Sequence, residues 1–214
     1  MTRALHTYWR SSAAYRVRLA LAWKGLAATA IPVDIRTGIQ TGAEYRALNP
    51  QGLVPVLVDG DAALTQSLAI IEYLEEVQPL PPLLPADAIG RARVRAAALM
   101  VAADIHPINN LRIGNYLKAQ LEQDQAAVEA WSRHWIAQGF GALEAFATAH
   151  GGRFVHGDAL SIADLCLVPQ LYNARRVDAD LRPYPRLLAV EMAVLAQDFA
   201  AAAHPDTQPD ASPA

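Results

Sequence analysis

The chain has 214 residues, of which 53% are hydrophobic and 18% are charged, and its formal net charge is −3. This composition predicts a globular protein with a sizeable core and excludes a disordered chain. The small negative charge provides no overall basic field for nucleic acid or for an anionic membrane. We find no apolar run of the roughly 20 residues that span a bilayer, no signal-peptide core and no presequence, so we expect a cytoplasmic protein.

The sequence contains one cysteine, Cys166. A single cysteine excludes a disulfide framework, a CxxC redox pair and a thiolate zinc site. It lies in the apolar run "ADLCLV", where we expect a small buried side chain. We predict no metal site.

Short apolar runs and amphipathic segments alternate over the first 80 residues. The patterns predict strands at 4–8, 28–33, 54–58 and 62–65, and helices at 12–24, 43–48 and 67–77. This order combines a strand–helix–strand unit with a terminal hairpin and helix, which is typical of a small α/β domain. We place this domain at residues 1–80.

A proline-rich segment, "PLPPLLPAD", follows this domain and predicts a stiff linker. Beyond it we find no convincing strand, but long helices through residues 90–103 and 124–150, and a helix-capping pattern, Ser-x-x-Asp, at Ser161. We therefore predict an all-helical domain at 87–203. The last eleven residues, "HPDTQPDASPA", cannot build a core, and we expect a frayed, disordered tail at 204–214.

The first helix begins at a pair of serines, Ser11 and Ser12, directly after Arg10. A helix start presents unpaired backbone amides and the positive end of the helix dipole, and both favour anions. Thiolates are among these anions, since the thiol pKa of about 8.5 falls at helix N-termini. Two interpretations stay open here: a plain N-cap, or a site where a serine hydroxyl donates to a bound sulfur anion.

Two further features lie in the first domain. Val54-Pro55 puts a proline at the start of a predicted strand, which is expected of an edge strand, or of a cis bond that leaves the Val54 backbone open to an extended peptide. Gln66-Ser67 precedes the next helix and could receive a carboxylate on free amides, or could be an ordinary cap.

The predicted helical domain holds a polar stretch, "DIHPINNLRIGNY", whose proline would kink a helix. His106 could donate to a ligand and Arg112 could clamp a carboxylate, or the stretch could be a kink with satisfied polar groups. No partner with metal-ligand spacing accompanies His106.

Together, "SSAAYRVRLAL", "NPQGLVPVL", "TQSLAIIEYLEE" and "SIADLCLVPQLYNARR" resemble, in order and spacing, the zeta-class glutathione transferases. That family includes maleylacetoacetate isomerases and bacterial maleylpyruvate isomerases, and the resemblance covers about residues 5–185. It implies an α/β thioredoxin-like N-terminal domain, an all-α C-terminal domain, glutathione as cofactor and a homodimer. It also implies a cis–trans isomerase of maleyl keto acids in aromatic-compound catabolism, with conjugation or dehalogenation of small electrophilic acids as the alternative.

The resemblance also implies roles for individual residues. Ser11 would activate the glutathione sulfur with Ser12 at the same helix start, and Val54, Gln66 and Ser67 would bind the cofactor backbone and its γ-glutamyl carboxylate. His106 and Asn110 would lie near the glycyl end of glutathione. The carboxylates of a dianionic substrate would be bound by three arginines, Arg10, Arg112 and Arg176. The chain departs from many zeta-class members, which have Ser-Ser-Cys, by placing Ala13 third. The thiol of glutathione must then carry the chemistry.

Overall fold

The computed structural model describes residues 3–212, which form two compact units. One unit comprises the chain up to Pro82 together with the chain from Leu195 onward, and the other comprises Leu83–Val194. Within residues 3–212, no helix is long and apolar enough to cross a membrane.

The first unit is built on a four-stranded mixed sheet, which confirms the predicted α/β class. Its strands are β1 (Arg3–Thr7), β2 (Thr29–Pro32), β3 (Val56–Asp59) and β4 (Ala62–Thr65), in the spatial order β2-β1-β3-β4. β1 pairs with β2 in parallel, while β3 pairs antiparallel with both β1 and β4. The parallel pair β1–β2 is joined by a helical crossover, and the consecutive antiparallel strands β3 and β4 are joined by a tight turn.

Four helices complete the first unit: α1 (Ser12–Trp23), α2 (Ala43–Leu48), α3 (Ser67–Val77) and, from the end of the chain, α9 (Asp198–Ala203). The central helix α1 is buried on nearly all sides, with Val17 and Leu19 fully inaccessible. Gly25 ends this helix region with a φ of 64°, a conformation that suits glycine because it has no Cβ.

The second unit is helical, as predicted. Its helices are α4 (Ala88–Leu99), α5 (Leu111–Gln120), α6 (Gln125–His150), α7 (Ile162–Arg176) and α8 (Pro185–Leu195). Apolar side chains such as Val94, Phe140 and Leu165 are fully buried and form its core. Cys166 is fully buried in α7, which confirms its expected role as a small core side chain.

The structure differs from the predicted helix over 90–103. The α-helical pattern ends at Leu99, and Met100–Ile105 form a π-helical segment in which the His106 N–H donates to the Val101 carbonyl at 2.9 Å. Such wider turns insert one extra residue and often accompany functional sites. The periodicity of apolar residues does not distinguish this short segment from an α-helix.

The structure also differs from the expected frayed tail over residues 204–212. Pro205–Thr207 form a 3₁₀ turn, Pro205 is buried, and Asp210 accepts a hydrogen bond from the Trp9 N–H. The partners of these residues lie about two hundred positions away along the chain. For that reason the polar composition of the tail gives no sign of the contacts.

Candidate functional site

The start of α1 combines a helix cap with an available donor. Ser11 is the N-cap residue, and its Oγ accepts a hydrogen bond from the Ala14 N–H at 3.2 Å. The hydroxyl proton of Ser11 has no acceptor among residues 3–212. Because a hydroxyl can accept and donate at once, the two interpretations of this serine are compatible. Ser12 is buried beside it, and Arg10 stacks its guanidinium over the Trp9 ring at 5.1 Å.

A tight turn ahead of β3 presents the backbone of Val54. The Leu53 carbonyl accepts from both the Asn49 Nδ2, at 2.7 Å, and the Tyr45 hydroxyl, at 3.0 Å. Burial raises the pKa of Tyr45 to about 12, so this hydroxyl keeps its proton and stays a donor. The backbone groups of Val54 make no hydrogen bond within the described chain.

The Val54-Pro55 bond is cis, and Pro55 is buried immediately before β3. Because β3 pairs on both sides, with β1 and with β4, it is not an edge strand. Of the two explanations for this proline, the structure therefore supports the cis bond that opens the Val54 backbone.

The start of α3 lacks the usual cap. Gln66 occupies the N-cap position with a φ of 67°, and its side chain makes no capping hydrogen bond. Instead its Nε2 donates to Gln51 Oε1 at 2.7 Å. Neither the Ser67 nor the Leu68 amide N–H has an acceptor among residues 3–212. A non-glycine residue with a strained φ and open amides at a helix start marks a candidate anion site.

A buried arginine lies beneath this helix start. Arg16 of α1 is 1% exposed, and its Nη1 donates to Ser67 Oγ at 3.2 Å. Its positive charge adds to the dipole of α3, so this corner of the first unit favours a bound carboxylate. Arg16 thereby joins the serine-bearing helix α1 to the start of α3.

In the second unit, three predicted site residues flank one short break between α4 and α5. His106 precedes the 3₁₀ turn Pro107–Asn109, and Asn110 follows it as the N-cap of α5, accepting from the Arg112 N–H at 3.1 Å. His106 and Asn110 are half-buried, and Arg112 is exposed. The break therefore keeps these three polar side chains near the surface of a helical unit.

The adjacent arginines at the end of α7 have different environments. Arg175 donates to both carboxylate oxygens of Glu191, with Nη1 to Oε1 at 2.6 Å, and this bond raises the pKa of Arg175. Arg176 is the last residue of the helix and is exposed. The structure thus pairs Arg175 with Glu191 within the unit and places Arg176 at the exposed end of the same helix.

Within the first unit, the structure brings Arg10, Ser11 and Ser12 to one helix start, and it links the start of α3 to both α1 and the turn before Val54. Sequence reasoning did not single out the residues that make these links, Arg16 and Gln51. A signal existed for Arg16, since a charged side chain in a helix whose other residues are mostly apolar and buried must find a partner in the core.

Comparison with known protein families matches both parts of the chain. Residues 10–77 match the glutathione S-transferase N-terminal domain, and residues 125–190 match the glutathione S-transferase C-terminal domain. A probable maleylacetoacetate isomerase of Vibrio cholerae is 48% identical over 213 residues, which cover 99% of both chains.

Solved structures give the same result. The holo structure of a maleylpyruvate isomerase, described as a bacterial zeta-class glutathione S-transferase, superposes with a TM-score of 0.96 at 46% identity and covers 98% of this chain and 100% of that one. A maleylacetoacetate isomerase from Anaeromyxobacter dehalogenans, with dicarboxyethyl glutathione and citrate bound in its active site, has a TM-score of 0.89 at 47% identity over 99% of this chain and 98% of that one.

Proposed function

Because the chain belongs to the zeta class of the glutathione transferase family, we propose that it is a glutathione-dependent cis–trans isomerase. Its substrate is a maleyl keto acid, maleylpyruvate or maleylacetoacetate, and its product is the fumaryl isomer. The observation that carries the proposal is the similarity, over nearly the full chain, to relatives named for this reaction.

The local geometry of the first unit fits glutathione. The γ-glutamyl carboxylate binds the open Ser67 and Leu68 amides, with the side chain of Gln66 alongside and the charge of Arg16 beneath. The cysteinyl backbone pairs with the N–H and C=O of Val54, as an added strand pairs with an open edge. The sulfur lies at the start of α1, where Ser11 donates and Ser12 lines the same turn.

Glutathione, when bound, supplies a thiolate nucleophile that adds reversibly to the conjugated double bond and so permits rotation about it. Ser11 lowers the thiol pKa by donating its hydroxyl proton to the sulfur anion, and the dipole of α1 acts in the same direction. Because Ala13 follows the two serines and the single cysteine is Cys166, the protein contributes no thiol at this helix start. Its residues hold charges and orient the reactants.

The substrate carries two carboxylates, and the chain offers three arginines for them: Arg10, Arg112 and Arg176. Guanidinium groups suit this role because their donors match a carboxylate in pairs. His106 and Asn110 serve the glycyl end of glutathione as hydrogen-bonding groups. The arginines also stabilise the negative charge that develops on the substrate during isomerisation.

We further propose that the enzyme is a homodimer that acts in the cytoplasm, in the catabolism of aromatic compounds. Large apolar side chains that are exposed on α4 and α6, including Leu99, Trp131 and Trp135, support an association surface. The cytoplasm keeps glutathione reduced, as the proposed cofactor requires.

Turnover with limiting glutathione tests the function. With purified protein and maleylpyruvate or maleylacetoacetate in large excess over glutathione, we expect complete conversion to the fumaryl isomer, with glutathione recovered unchanged. Consumption of one glutathione per substrate would overturn the isomerase proposal in favour of conjugation. No reaction with either diacid, together with chloride release from small halo-acids, would favour dehalogenation.

A further inference from the structure

The end of the chain returns to the first unit and packs against the serine-bearing helix. The ring of Phe199 in α9 lies 5.2 Å from that of Trp23, and the ring of His204 lies 6.1 Å from that of Tyr15. Pro205 is buried in the turn that follows. Residues 198–210, which we name the C-terminal strap, are therefore a packed part of this unit.

The strap reaches the turn that carries Ser11. Asp210 Oδ2 accepts a hydrogen bond from the Trp9 N–H at 3.0 Å. Trp9 is the second residue of a turn that is closed by the bond from the Ser11 N–H to the Tyr8 carbonyl, at 2.9 Å. Asp210 is thus bonded to the backbone two residues before the hydroxyl that we assign to the sulfur.

Arg18 fixes the carbonyl group of the same residue, Trp9. Its Nη2 donates to the Trp9 carbonyl at 2.9 Å, and its Nη1 donates to Thr7 Oγ1 at 3.1 Å. Its Nε donates to the Ala203 carbonyl at 3.0 Å, at the end of α9. The N–H and the C=O of Trp9 are therefore both fixed by side chains, and both connections lead to the strap.

This arrangement compensates for an irregular backbone. Trp9 lies between β1 and α1, where neither a strand nor a helix fixes its peptide groups. Side-chain hydrogen bonds supply the missing constraint, and a reacting group must be held within a fraction of an ångström to be effective.

We infer that Asp210 is a positioning residue for the isomerisation: through the Trp9 N–H it fixes the turn that aims the Ser11 hydroxyl at the glutathione sulfur. The inference rests on the proposed role of Ser11. Asp210 acts through the backbone and touches neither cofactor nor substrate, so its removal alters turnover and thiol ionisation with little effect on glutathione affinity.

Three variants of the full chain test this inference. Asp210→Ala removes the acceptor, Asp210→Asn keeps an oxygen for the Trp9 N–H without the charge, and Asp206→Ala changes an exposed aspartate of the same strap. For each we measure kcat, the glutathione Kd, the ultraviolet absorbance of the bound thiolate against pH, and hydrogen exchange of the Trp9 amide.

We expect Asp210→Ala to lower kcat by about tenfold, to raise the pKa of the bound thiol and to expose the Trp9 amide to exchange, with the glutathione Kd within about twofold. Asp210→Asn and Asp206→Ala should stay within about twofold of wild type. Unchanged kcat and thiolate absorbance in Asp210→Ala would overturn the inference. So would an equal loss in Asp210→Asn, because the charge and not the Trp9 bond would then be responsible.

Ser11→Ala in the same assay separates the two proposals. If Ser11→Ala leaves the thiolate absorbance unchanged, the role of Ser11 in the proposed function fails. If Ser11→Ala suppresses the thiolate but Asp210→Ala does not, only the role of the strap fails.

Discussion

The starts of α7 and α3 differ in whether the chain provides hydrogen-bond acceptors there. Every helix start leaves amide groups without intrahelical acceptors. At α7 the chain supplies its own carboxylate. Asp164 is fully buried and accepts from the Ser161 N–H and the Ser161 hydroxyl, each at 2.8 Å. It also accepts from the Val155 N–H at 2.8 Å.

At α3 the chain supplies no acceptor. Gln66 adopts a φ of 67° and turns its side chain to Gln51, so the Ser67 and Leu68 amides stay open. A buried arginine lies beneath them in place of an acid. A closed helix start of this kind stabilises the fold, whereas the open start above a buried cation fits the ligand carboxylate that we propose for it.

The largest expected effect is a loss of stability at the start of α7. Asp164→Ala should lower the free energy of unfolding by about 3 kcal/mol, because the Val155 and Ser161 amides lose their buried acceptor. Denaturant unfolding measures this loss. Asp158→Ala is the matched control, since this exposed aspartate accepts, among residues 3–212, only from the Arg153 N–H, and its removal should cost about 1 kcal/mol or less. Equal losses in the two variants would contradict the assignment.

The free energy of unfolding should also depend on pH through Asp164, at the start of α7. Burial raises the pKa of Asp164 from 3.8 to about 6, although its three donors oppose the shift. Between these values the folded state holds a proton that the unfolded state has released, so raising the pH from about 4 to about 6 removes stability. The unfolding free energy of wild type relative to Asp164→Asn should fall by about 3 kcal/mol over this range. A flat or rising difference would contradict the shift.

The next largest effect is expected at the start of α1, where we propose that the glutathione sulfur binds. Ser11→Ala should lower kcat by about a hundredfold, because a donor aimed at a developing or resident anion contributes that much in comparable sites. The glutathione Kd should change by about threefold or less, since the carboxylate and peptide contacts remain. Ser11→Thr keeps both the cap and the hydroxyl and should retain most activity. Steady-state kinetics measure kcat, and calorimetry measures the glutathione Kd. A large rise in Kd with an unchanged kcat in Ser11→Ala would contradict this role.

At the C-terminal end of α7, we expect Arg176 to contribute to substrate binding, whereas Asp164 at the start of the same helix contributes to stability. Arg176→Ala should raise the KM for the diacid by about tenfold and leave the glutathione Kd unchanged, because a charge-assisted carboxylate contact is lost. Arg182→Ala is the control, since this exposed arginine forms an ion pair with Asp180. A raised glutathione Kd with an unchanged KM would move Arg176 from the substrate to the cofactor.

The smallest effect is expected from placing a carboxylate at the start of α3, as Asp164 is placed at the start of α7. Ala69 is exposed and occupies the third helical position of α3, as Asp164 does in α7. Ala69→Asp should weaken glutathione binding by about fivefold, because a carboxylate now competes with the ligand for the helix start. Ala69→Asn carries no charge and should bind as wild type does. Calorimetry that finds both variants equal would argue against an anion at this start.

Much of this architecture could be predicted because it is encoded locally. Caps such as Ser11, Ser161 and Asp124 lie next to the helices that they start, and the alternation of apolar residues locates the strands. The cis bond at Val54-Pro55 was one of two alternatives, and the structure decides between them. The family resemblance, confirmed by the comparisons, provided the cofactor and the reaction.

The remainder depends on contacts between residues far apart in the chain. The bond from Trp9 to Asp210 spans 201 residues, and that from Arg16 to Ser67 spans 51. The strained φ of Gln66 likewise results from its surroundings, since glutamine has no preference for that conformation. Local patterns identify where helices begin, but the three-dimensional partners decide whether a beginning is closed or open.

A crystal structure of the protein with glutathione bound tests the account most directly. We predict the γ-glutamyl carboxylate on the Ser67 and Leu68 amides, the cysteinyl backbone paired with Val54, and the sulfur within hydrogen-bonding distance of Ser11 Oγ. A complex in which the start of α3 carries no carboxylate, or in which the sulfur lies away from Ser11, would contradict it.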